Sequence, residues 1–243
     1  MTEQDWLESR SPKAMLNSLP DKGFDRKYLL FACACARRVW HLLEDDRPRR
    51  VIQITEEFAD GKIDQKTLRS AWCAARSYAE RQEKQGLWIS AFAAHAAHHA
   101  APGWKADFPE YQAQACAVAA SFTAAETVAG AARGGAMDAE GNERVLRAKA
   151  DEQEAQAKLV RDVFRSPFRS PSCVEPACRT EAVKRLAQDI YEVRSFDRLG
   201  ELADALEQAG CQNDEVLSHL RSNGPHERGC WALDVVLEKT EHQ

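Results

Sequence analysis

The chain has no run of about 18 consecutive apolar residues, so nothing in it reads as a membrane span. Its longest apolar segments, around Leu29–Ala36 and Ser90–Ala101, are broken by Cys, His and Arg. Strand-like alternation with β-branched residues is missing throughout, which argues against a sheet. There is no GxGxxG after a strand, no GxxxxGK[ST] and no glycine-rich nucleophile elbow, so the common phosphate loops and the serine-hydrolase signature are absent. Met1-Thr2-Glu3-Gln4-Asp5-Trp6 lacks the basic start and apolar stretch of a secretory leader. A cytoplasmic location is the expectation. Excess positive charge is lacking too. The 243 residues carry 33 Lys+Arg against 38 Asp+Glu, a formal net charge of −5. Such a chain has no general attraction to nucleic acid or to an anionic membrane.

Cysteine is plentiful, with eight residues at positions 33, 35, 73, 116, 173, 178, 211 and 230. In a chain this long, without a leader, cysteines set in helical patterns read as reduced core thiols rather than a disulfide framework.

Nearly every segment reads as helix. Thr2 caps a short helix holding Trp6, and Ser11-Pro12 places an N-cap before a proline at the first helical position. Asp25 opens a helix expected to run to about Glu44, apolar around most of its circumference and therefore central. Pro48 opens the next, and Asp64 caps one with Leu68, Ala71, Trp72, Ala75, Tyr78 and Ala79 on a single stripe. Leu87–Ala101 follows. Pro109 starts an alanine-rich helix reaching about Arg133. From Asp138 to Phe164 the sequence is charged, its apolar residues lie toward the two ends, and its middle is expected to face solvent. Residues 166–176 hold the proline- and serine-rich break. Beyond it come three or four short helices, capped by residues such as Thr180 and Asn213. The expected fold is all-α, a multi-helix bundle of about ten helices. It divides into a bundle over residues 1–165, a linker over 166–176, and a smaller C-terminal helical unit over 177–243.

Five groups carry possible chemistry. His95 and His99 lie one helical turn apart and are candidate metal ligands, but Ala96 stands where HExxH needs a glutamate. The same histidines also suit a helix C-terminus before Pro102-Gly103. In Cys33-x-Cys35 the two thiols point about 200° apart on a helix, so they cannot easily share an ion, although nearby Arg37 would favour a thiolate. The basic Arg47-Pro48-Arg49-Arg50 follows Glu44, Asp45 and Asp46, which nearly cancel it. Cys173 and Cys178 have no second pair nearby and match zinc spacing weakly. The densest group is C-terminal: Cys211, His219, Arg221, His226, Arg228, Cys230, Trp231 and Asp234. There Gly224-Pro225 sets a turn, with His226 and Arg228 expected at an exposed helix start. His226, Arg228, His219 and Arg221 are the candidate partner- or anion-binding residues. No catalytic residue and no cofactor follow from any motif.

Three segments together carry a resemblance. They are Leu30–Leu43; Arg161-Asp162-Val163-Phe164 with Pro167-Phe168-Arg169; and Phe196–Glu207 continuing through Ala209-Gly210-Cys211 to Gly224-Pro225-His226 and Arg228-Gly229-Cys230-Trp231. In this order they resemble an uncharacterised all-helical protein family abundant in planctomycete genomes, and the likeness spans most of the chain. It implies a helical fold and no particular activity. The functional expectation is a non-catalytic helical interaction or regulatory protein with a protein partner. The alternative is a metal- or thiol-dependent helical enzyme using a His/Cys cluster.

Overall fold

The computed structural model describes residues 1–19, 25–101, 112–134, 138–169 and 173–239. Among these the chain forms twelve α-helices and no strand: α1 (Glu3–Glu8), α2 (Pro12–Leu16), α3 (Asp25–Arg38), α4 (Asp46–Ala59), α5 (Gln65–Lys84), α6 (Trp88–His99), α7 (Gln112–Ala132), α8 (Ala139–Phe164), α9 (Glu181–Val193), α10 (Leu199–Gln208), α11 (Asp214–Leu220) and α12 (Trp231–Val236). Short polar side chains start most of them. Thr2, Ser11, Asp64, Asp138, Thr180 and Asn213 each accept a first-turn backbone N–H. These are donors that a helix leaves without an internal partner. Asp45 serves α4 in the same way, which puts Pro48 inside the first turn, where its missing N–H breaks no bond.

One expectation is corrected and another is sharpened. Helix α3 ends at Arg38 rather than near Glu44. Val39, Leu42 and Leu43 donate to carbonyls three residues back, at 3.2, 2.9 and 3.1 Å, and the chain tightens into a 3₁₀ turn over Trp40–Leu42. The middle of α8 faces solvent as expected, largely exposed from Asn142 to Asp151, but Glu152 and Gln156 just beyond it are buried. Glu152 takes the Arg38 fork at 2.7 and 2.9 Å, and the Gln156 amide donates to Glu152 and to the Ser121 carbonyl. The expected start at Pro109 lies outside the described residues.

Buried apolar side chains form two large clusters. The first surrounds α3, where every residue from Lys27 to Ala36 is buried, and draws on α1, α2 and α4–α8. Helix α7 packs on α3, α6 and α8. Its buried face is largely alanine, which lets helix axes come close. Its Ala113–Ala132 stretch is long and apolar enough to cross a membrane, and half of it is buried inside the fold. The second cluster joins Val174 and Cys178 to α9–α12.

The contacts between the clusters are mainly ionic. Lys27 Nζ donates to the carbonyls of Val163 (2.9 Å) and Gly229 (3.1 Å) and lies 3.1 Å from Asp234 Oδ2. All three of its N–H bonds are thereby used. Arg26 reaches Asp234 at 2.7 Å, Asp60 at 3.0 Å and Tyr191 Oη at 2.8 Å, and the Tyr191 hydroxyl donates to Asp60. Each charge is matched, as burial requires. Gly229 sits where the two parts touch most closely. Its φ is +91°, and a Cβ there would lie 3.1 Å from Leu30 Cβ. Only glycine fits both the left-handed backbone and that approach.

Candidate metal centre

The last turn of α8 is an unfavourable place for an acid, because the negative end of the helix dipole lies there. Asp162 occupies it, buried, and its partners come from the C-terminal unit. His219, in the last turn of α11, lies 3.0 Å from Asp162 Oδ1 through Nε2. His226, in the loop before α12, lies 2.8 Å from the same oxygen through Nδ1. The Glu227 backbone N–H donates to Oδ2 at 3.1 Å. Cys230, the residue preceding α12, brings Sγ to 3.3 Å from His219 Nε2 and 3.9 Å from His226 Nδ1. One donor atom from each of the four side chains falls within 4.8 Å of all the others. A tetrahedral ion with bonds near 2.1 Å holds its ligands about 3.4 Å apart, so the donors already stand close to coordination distance.

Hydrogen bonds assign the protons. His226 Nε2 faces the Ser222 carbonyl at 3.1 Å and Nδ1 faces Asp162. The Ser222 hydroxyl also lies 3.3 Å from Nε2, and with Asp162 and the Ser222 carbonyl as acceptors the arrangement favours the doubly protonated cation paired with Asp162. Burial alone would pull its pKa down, but the hydrogen bond and charge of Asp162 outweigh it and raise the value. Burial likewise pushes Asp162 up, yet bonds from the two histidines hold it below the usual carboxylate range. His219 differs. The Trp231 indole N–H donates to its Nδ1 at 3.2 Å, so its one proton sits on Nε2, toward Asp162. Burial and the Asp162 charge push the Cys230 thiol well up, against the backbone N–H groups of Leu233 and Ala232.

This donor set fits a divalent ion. Asp162 and a Cys230 thiolate supply two negative charges, and two neutral imidazoles complete a mixed S, N, O set typical of zinc. His226 is ready for Nδ1 coordination, since its other N–H is already held by a backbone carbonyl. His219 must move its proton to Nδ1 before Nε2 can bind metal, and that displaces the Trp231 hydrogen bond. An ion bound there would displace one proton from His226 and one from Cys230.

The four candidate anion-binding residues, His226, Arg228, His219 and Arg221, do not converge on one point. They precede α12 rather than open it, and the anion that the two histidines meet is the protein's own Asp162. Arg228 is buried on another side, its guanidinium 5.0 Å from the Tyr191 ring centroid and 3.6 Å from Glu192. Arg221 points outward to Asp204 and Glu207, both at 2.7 Å. Elsewhere, Arg37 forks Glu56 at 2.6 and 2.8 Å instead of activating Cys33, whose thiol burial pushes well up. His95 and His99 do lie together on α6, with His98 between them. Sequence reasoning grouped the C-terminal histidines and Cys230 but missed Asp162. An acid between Val160 and Val163, at the wrong end of a helix, was the available signal.

Fold and site define a class, an all-helical protein with a closed four-donor cluster joining two cores. Comparison with known proteins finds no matching family model, curated protein or solved structure.

Proposed function

We propose that this is a non-catalytic helical interaction or regulatory protein whose C-terminal unit is stapled to the bundle by a structural divalent metal, Zn²⁺ by donor chemistry. The observation that carries the reading is the cluster of Asp162 from α8 with His219, His226 and Cys230 from the C-terminal unit. Its four donors come from both sides of the junction, so binding an ion there is free energy for docking the two parts. Four protein donors also fill a tetrahedral ion and leave no place for a substrate. A thiol-dependent enzyme is disfavoured because burial pushes the Cys33, Cys35 and Cys230 thiols well above their ordinary value. We place the protein in a reducing, cytoplasmic setting, which keeps Cys230 available as a ligand.

The test is metal analysis followed by Co²⁺ substitution of the full chain. One thiolate-to-cobalt charge-transfer band is expected, lost in Cys230→Ser and unmoved by azide. Chelation should lower the melting midpoint. A chain that binds neither Zn²⁺ nor Co²⁺ at Cys230 sinks the staple, and an azide-sensitive thiolate band sinks its structural assignment.

A further inference from the structure

Helix α6 carries a second convergence of ligands, independent of the junction. One ring nitrogen from each of His95, His98 and His99 falls within 4.8 Å of the others. The ring centroids of His98 and His99 are 4.3 Å apart, and those of His95 and His98 are 5.1 Å apart. Three histidines packed this way need a reason, because as cations they would repel. As neutral imidazoles each offers one ring nitrogen with a lone pair, which a shared cation would bind.

The surroundings act as a supporting shell. Thr123 on α7 donates its hydroxyl proton to the Ala119 carbonyl at 2.7 Å, so toward His99 it acts as acceptor. His99 Nδ1 therefore donates to Thr123 Oγ1 at 3.0 Å, which leaves Nε2 as a free base. A ligating histidine in a metal site is commonly held in just this manner through its other nitrogen. The Trp72 ring packs edge-on to His98 at 5.8 Å. His98 Nδ1 is buried without a well-formed hydrogen bond, the Ala94 carbonyl being its one backbone neighbour. Glu83 on α5 brings a carboxylate oxygen to 3.7 Å from His95 Nε2.

We infer that His95, His98 and His99 form a second metal site, which takes a divalent first-row transition ion through three imidazole nitrogens and leaves a coordination position for water or a small anion. Neutral imidazoles suit zinc, copper, nickel or cobalt rather than the hard cations. Three protein ligands define an open site, in contrast to the closed junction. The partly exposed His95 side chain, 21% accessible, puts the site within reach of solvent.

The probes are Zn²⁺ by equilibrium dialysis and Co²⁺ by absorption, on the full chain and on the double variant His95→Gln/His99→Gln, with folding checked by circular dichroism. The inference expects the variant to bind one equivalent fewer than the wild type while the Cys230 thiolate band is unchanged. It also expects azide to shift the thiolate-free cobalt bands of the wild type. Two equivalents falling to one supports both sites. One falling to none supports the triad and refutes the junction staple. Equal stoichiometry in variant and wild type overturns the triad. Should the double variant fail to fold, His95→Gln alone must weaken the thiolate-free site at least tenfold, and unchanged affinity overturns the proposal.

Discussion

Asp162→Asn in metal-free protein isolates the electrostatics of the junction. The carboxylate accepts from His219 at 3.0 Å, His226 at 2.8 Å and the Glu227 N–H at 3.1 Å. Asparagine keeps one acceptor oxygen and turns an NH₂ toward the other donors. The His226 cation then lacks its counter-ion, and breaking one side of a buried pair costs about 3–5 kcal/mol. For a chain of this length that is a drop in melting midpoint of about 6–20 °C. The pH dependence has a definite sign. Asp162 is held low, so its contribution is present above the unfolded value of about 3.9 and fades as pH falls through the lower folded value. His226 is raised, so its contribution is complete below about 6.5 and fades as pH rises through the higher folded value. Their coupling is thus greatest between those limits. A double-mutant cycle of D162N and H226Q, by guanidinium unfolding in EDTA, should give about 2–4 kcal/mol near pH 5.5 and less near pH 8.5. Coupling below about 0.5 kcal/mol at both pH values, or coupling that grows with pH, refutes the ion pair.

Other expectations follow from single contacts. Trp231→Phe removes the indole N–H that holds His219 in the tautomer opposed to metal binding. Zn²⁺ affinity should rise about five- to tenfold, the worth of one hydrogen bond, and calorimetric titration showing weaker binding would contradict the proton assignment. Zn²⁺ affinity of the wild-type junction should increase with pH by up to about a hundredfold per unit, because two protons leave on loading; a pH-independent constant would rule out coordination by both His226 and Cys230. Gly229→Ala must strain a φ of +91° and press on Leu30, so chemical denaturation should show a loss of about 2 kcal/mol or more. Cys73 and Cys173 are the exposed thiols; a thiol reagent should label these two quickly and the remaining six only as the chain unfolds.

Helix starts were legible because they are local. Thr2, Ser11, Asp64, Asp138, Thr180 and Asn213 each reach a backbone N–H three residues away, and the spacing is written in the chain. The burial of Glu152 and Gln156 on α8 was not, because its cause lies far away along the chain. Arg38 and Glu152 are 114 positions apart, yet the solvent-facing Arg38 supplies the buried Glu152 carboxylate with its counter-charge. The site divides in the same way. His219, His226 and Cys230 stand close enough along the chain to be noticed together, but without a fourth ligand their spacing matched no zinc pattern. That ligand lies 57 positions before His219, on the bundle side. Arg228 and Arg221 were grouped with the histidines by proximity in sequence, and each turns to other partners, Arg228 to Tyr191 and Glu192 and Arg221 to Asp204 and Glu207. One reason connects these outcomes. The C-terminal unit meets the bundle largely through polar and charged groups: Arg26 and Lys27 with Asp234, Asp60 with Tyr191, and Asp162 with His219 and His226. Paired charges across a junction leave no hydrophobic period to read. They are legible only as residues wrong for their own helix, a lysine and an arginine beside an apolar α3 stripe and an aspartate at the negative end of α8. In an all-helical sequence, such local misfits are where a junction between two cores should be sought.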